Sequence, residues 1–110
     1  MTKSVRPKTA DARVAQRHPV DYIVAASLEP KRRVHLHMVD LSALGFSALH
    51  DEGLRPEDSL IMDLPVIGSI QATVVWADGE RAGFEFERLI CFDELGRLIS
   101  IIRNRDGLTR

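Results

Sequence analysis

Between Val20 and Phe86 the apolar residues fall on alternate positions in six short runs, and no stretch there sustains a helical spacing. Val20, Tyr22, Val24, Ala26 and Leu28 form the first run, and Val34, Leu36 and Met38 form the second, which closes at Asp40. Phe46 to Leu49 is a third, shorter run. Leu60, Met62 and Leu64 make the fourth, Ile70, Ala72, Val74 and Trp76 one face of the fifth, and Ala82, Phe84 and Phe86 the sixth. A period of two is that of a strand with one face buried, since successive side chains point to opposite sides. The interruptions are turn chemistry: EPKRR, LSALGF, DEGLRPED, VIGS and ADGE, the last an Asp-Gly hairpin signal. After Phe86 the period changes. Phe92, Leu95, Leu98, Ile99 and Ile102 recur at helical spacing, with acids early and arginines late to suit the helix dipole, and Gly107 marks the end. Six strands without βαβ alternation, closed by one helix, predict a mainly β fold: a small six-stranded antiparallel β-barrel with a C-terminal α-helix at about 91–105.

A chain of 110 residues holds one hydrophobic core, so residues 13–110 are read as a single domain. Charge divides it unevenly. Residues 1–17 carry five basic groups against Asp11, whereas the remaining 93 carry 10 basic and 15 acidic groups. The segment up to about Gln16 shows little periodicity and is expected to be mobile, with residues 1–12 set apart as a flexible basic arm, and such an arm on an acidic body suits an anionic partner. Cys91 is the single cysteine, which excludes an intrachain disulfide and fits a reducing cytoplasm; in the apolar setting LICF it is expected to be buried. The first residues lack the apolar core of a signal peptide and no run is long enough to span a bilayer, so a soluble, intracellular protein is expected.

Catalytic signatures are missing. The chain has no GxSxG, no GxxxxGK[ST], no HExxH and no CxxC, so an enzyme is not expected, and no metal or other cofactor. His35 and His37 share one side of a strand, and a solvent- or partner-facing surface is the expectation for them. Binding chemistry is better represented. Arg13 and Arg17 stand four apart, neighbours on a helical turn and on the same side of an extended segment. Their planar forks can grip phosphate oxygens, stack on a ring or meet the O6/N7 edge of guanine. Asp40 and Ser42, an even step apart at a strand end, supply an acceptor-only carboxylate and a hydroxyl, and guanine's N1–H and N2–H₂ edge matches such a carboxylate. Gly45 permits a close backbone approach. Taken alone, DxSxxG also reads as an ordinary Asp/Ser turn, and RxxxR as two arginines solvated or paired with acids of the body.

RxxxR directly before the first strand, DxSxxG at the end of the second, and VVWADGERAGFEF (Val74–Phe86) near the end of the barrel together resemble the PilZ domain family, over roughly Arg13 to Leu89. The resemblance implies a bacterial, non-catalytic receptor for the second messenger cyclic di-GMP that relays its signal to a partner protein. It also implies ligand contacts at Arg13, Arg17, Asp40, Ser42 and Gly45. One arginine precedes the xxxR segment where many relatives have two, and His18 follows the second. Ordering Arg13–His18 costs roughly 6–12 kcal/mol of backbone entropy. A few charge-assisted hydrogen bonds of about 1.5–3 kcal/mol barely offset that, so stacking on a purine has to contribute about 1–2 kcal/mol more. The expectation is therefore an arm that is loose without ligand and closes over the barrel with it. Two other readings stand beside this one. The first is a PilZ-like interaction module that binds no nucleotide. The second, a barrel for single-stranded nucleic acid, is opposed by the acidic body and by an aromatic content of only 5%.

Overall fold

The computed structural model describes residues 12–28, 32–50 and 53–108, with the backbone alone for 12, 13 and 105–108. The expectation of a flexible arm lies outside the described residues for 1–11. A single helical turn, α1 (Ala12–Ala15), leads into six strands: β1 (His18–Leu28), β2 (Arg32–Leu41), β3 (Gly45–Leu49), β4 (Ser59–Leu64), β5 (Gly68–Asp78) and β6 (Arg81–Phe86). The helix α2 (Phe92–Leu108) follows and runs through Gly107. All neighbours are antiparallel, and the strands close in the order β1-β2-β3-β6-β5-β4. The alternation read from the sequence is therefore the inside–outside alternation of a closed barrel.

Val34, Leu36, Met38 and Leu41 of β2, Leu60 of β4 and Ile70 of β5 are fully buried inside it. Phe46 and Phe84 face each other across the β3–β6 register and stack, with centroids 4.4 Å apart and rings 7° from parallel; Phe86 tilts against Phe46 at 5.6 Å. Offset stacking of this kind adds about 0.5–1.5 kcal/mol beyond area burial, and it clamps together the two strands that carry the site below. Leu95, Leu98, Ile99 and Ile102 seal the core from α2, and Arg103 Nη2 donates to the Pro19 carbonyl at 2.7 Å, tying the helix to the start of β1.

Four local expectations are corrected. Val14 is buried in the core, so ordered structure begins inside the stretch read as mobile up to Gln16. Phe92 is 42% exposed, because the core-facing stripe of α2 begins only at Leu95. Cys91 is exposed: it precedes the helix and its carbonyl accepts the Leu95 amide at 2.9 Å, which holds the residue at the helix start instead of under it. Trp76 does not continue the buried face of β5. The β5–β6 register slips between Val74 and Trp76, which inserts one residue, and Val75 (49%) and Trp76 (40%) are both exposed. Among the described residues no helix is long and apolar enough to cross a membrane.

Candidate functional site

Arg17 is carried just outside β1 by α1, and burial of Val14 holds that turn against the barrel. Its guanidinium Nη1 donates to Asp40 Oδ1 at 2.7 Å and to Ser47 Oγ at 3.0 Å. Register explains the meeting. Asp40 lies opposite Pro19 on one side and Ser47 on the other, and slips in β1 (Pro19/Tyr22) and β2 (Met38/Asp40) bring these positions level. The guanidinium side is 58% exposed and the carboxylate 19%. An ion pair so open to water is worth at most about 1 kcal/mol. The pair therefore orients Arg17 without locking it. Arg13 has its backbone in α1, and its side chain lies outside the description.

Ser42 takes the turn role that the sequence left open. Its hydroxyl, buried, accepts from the amides of Leu44 (3.1 Å) and Gly45 (3.2 Å) and donates to the Gly45 carbonyl (3.4 Å). The loop is further tied down by Phe86 N to Leu44 O (2.8 Å) and Ile90 N to Ala43 O (3.0 Å). Gly45 is required by proximity. A Cβ there would overlap the Phe84 carbonyl oxygen and stand 2.9 Å from the Glu85 Cα, both backbone atoms of β6.

Beside Arg17 opens a cleft of about 260 Å³. Its lining brings together Ala15 and Arg17 from α1 and the residues after it, Ser42 and Gly45 from the β2–β3 loop and the start of β3, Val75 and Trp76 of β5, and Gly83 and Glu85 of β6, with Phe46 and Phe84 of the aromatic stack. The indole of Trp76 lies against Gly83 so closely that any Cβ at 83 would run into the ring. The β5 bulge thus turns the single tryptophan of the chain outward, and the absence of a side chain at 83 gives it a seat. A half-exposed indole in that position is a stacking platform for a planar base, worth about 1–3 kcal/mol per base.

Of the five residues singled out from the sequence, Arg17 and Asp40 are hydrogen-bonded partners, and Ser42 and Gly45 line the cleft next to Arg17. Sequence reasoning missed Ser47, Val75, Gly83 and Glu85 as site residues and used Trp76 only as a marker of resemblance. The glycine in RAGFEF was the one legible signal among them. Ser47→Ala removes one acceptor from Arg17 and leaves Asp40, so it should lower stability by no more than about 1 kcal/mol in urea unfolding.

The two histidines stand elsewhere. His35 is exposed on the outer face of β2, and His37 Nε2 pairs with Asp21 Oδ1 at 2.7 Å. Among the described residues no three His, Cys, Asp or Glu side chains are grouped to hold a metal ion.

Comparison with curated protein sequences yields no match. A crystal structure of an uncharacterised protein from Legionella is similar at 19% identity and a TM-score of 0.47, covering 86% of this chain and 99% of that one. The family model of the PilZ domain matches residues 11–101, which take in the whole of the barrel and the first part of α2, and the chain belongs to the PilZ domain family.

Proposed function

We propose that this domain is a receptor for cyclic di-GMP that carries out no reaction of its own and passes the bound state to a partner protein in the cytoplasm. One observation carries the reading: Arg17 of RxxxR and Asp40 of DxSxxG, 23 positions apart, meet at 2.7 Å at the edge of a cleft with an indole wall. Family membership supports the ligand class. Cyclic di-GMP presents two phosphates and two guanines, and the site offers a cation for the former and a stacking face for the latter.

Binding on this reading exchanges partners instead of folding a segment from nothing. Arg17 leaves an exposed pair worth at most about 1 kcal/mol for phosphate or guanine contacts worth about 1.5–3 kcal/mol each. The released Asp40 carboxylate then accepts from a guanine edge. With Val14 already seated, the ordering cost falls on fewer residues than the six of Arg13–His18. On this reading Arg13, the first arginine of RxxxR, is a ligand contact as well.

Calorimetric titration with cyclic di-GMP, with cyclic di-AMP and GTP as controls, tests the proposal. Heat at micromolar concentrations of cyclic di-GMP alone is the expected result. No heat with any of the three would favour the interaction module that binds no nucleotide.

A further inference from the structure

We infer that Glu85 is the residue that selects guanine over adenine for the base seated in the cleft. The inference rests on the nucleotide-receptor reading above and deepens it. Among the described residues lining the cleft, Arg17 is the one cation and Glu85 the one anion. Glu85 sits on β6 directly opposite Gly45 of β3 and Thr73 of β5, with its side chain directed outward and exposed. No hydrogen bond or ion pair with another described residue occupies its carboxylate. Asp40, the carboxylate singled out from the sequence, is placed differently. It is held by Arg17, is only 19% exposed, and does not line the cleft.

The cleft is open to solvent, and its size suits part of a dinucleotide. At about 260 Å³ it falls just under the range of about 300–1,000 Å³ typical of sites for whole drug-sized ligands. It therefore takes one base of a dinucleotide and leaves the ring of sugars and phosphates at the mouth, beside Arg17. A purine lying against Trp76 presents its edges to the remaining polar groups of the cleft. Guanine offers acceptors at O6 and N7, which suit a guanidinium, and donors at N1–H and N2–H₂, which suit a group that only accepts. A carboxylate has two oxygens for those two donors. Adenine carries a lone pair at N1 and no amine at C2, so the same carboxylate meets it with repulsion. Selection of this kind works twice over, through the bonds made with one base and the clash with the other. Partial exposure of Glu85 to water tempers both effects.

The test compares wild type with Glu85→Gln, an isosteric change at an exposed position, by titrating each with cyclic di-GMP and with cyclic di-AMP and following Trp76 fluorescence. The glutamine amide can donate to adenine N1 and supplies only one oxygen to guanine. The expected result is roughly a tenfold to hundredfold weakening for cyclic di-GMP, with unchanged or improved affinity for cyclic di-AMP, at an unaltered melting temperature. An unchanged ratio of the two affinities in Glu85→Gln, with wild type binding cyclic di-GMP normally, overturns the role of Glu85 and leaves the receptor standing. Failure of wild type to bind cyclic di-GMP overturns the receptor reading and this assignment with it.

Discussion

Gly45→Ala is expected to lower the unfolding free energy by about 3 kcal/mol, at the upper end of what overpacking costs. Most buried methyl groups find relief when a neighbouring side chain rotates. Here the atoms in the way are the Phe84 carbonyl oxygen and the Glu85 Cα, and the β6 backbone, paired there with β5 as well as β3, cannot rotate aside. β3 and β6 would have to part at the Gly45–Glu85 pair, loosening the Phe46–Phe84 stack one position further on. In a domain of this size the loss corresponds to a fall of roughly 10–20 °C in melting temperature. Thermal and urea unfolding, followed by circular dichroism, measure it. A change below about 1 kcal/mol would mean that the strands twist apart there at little cost. Because the same pair flanks the cleft, ligand binding should fall even at temperatures where the variant remains folded.

Arg17→Ala has the opposite profile: a small effect on the fold and a large one on the ligand. The residue is mostly in water, and its pair with Asp40 contributes at most about 1 kcal/mol, so the melting curve should barely move. Binding of cyclic di-GMP should weaken by about a hundredfold or more, since two charge-assisted hydrogen bonds are lost at once. Arg17→Lys separates charge from shape. A lysine keeps the cation but lacks the planar fork, and an affinity between those of wild type and Arg17→Ala is expected. If the lysine variant binds as tightly as wild type, Arg17 acts as a point charge and the bidentate geometry is irrelevant. Calorimetry on the three proteins gives the answer directly.

What could be read from the amino acids alone divides along a physical line. The six strands and α2 were legible because each buries one face, and burial writes its period into the sequence: Val24, Ala26 and Leu28 inward, Ile23 and Ala25 outward. The two motifs were legible through their order, RxxxR directly before the first strand and DxSxxG at the end of the second, which resembles a known family, whereas each alone reads as ordinary surface chemistry. Register was not. A bulge adds one residue to one strand and leaves no compositional trace, so neither the outward turn of Trp76 nor the alignment of Asp40 with Ser47 could be foreseen. Partner choice was hidden for a similar reason. Ser42 could equally have faced a ligand or its own loop, and the loop amides two and three residues on were simply nearer. Cys91 and Phe92 were misread because apolar neighbours in sequence say little at the boundary where a barrel hands over to a helix.

The extra residue in β5 also bears on how such a site is inherited. Val75 and Trp76 both stand at the Gly83 position of β6, and this extra residue resets the inward–outward count, so that Trp76, an even step from buried Val74, faces outward. Point mutation of Val75, exposed as it is, leaves that count intact. Loss of its codon would restore unbroken pairing with the indole still outward opposite Gly83, but would remove Val75 from the cleft lining together with the local bend that a bulge gives its strand. The cleft is thus recorded in the length of a strand as well as in the letters along it: replacement of Val75 keeps the bulged wall, whereas its deletion reshapes that wall without changing the side on which Trp76 stands.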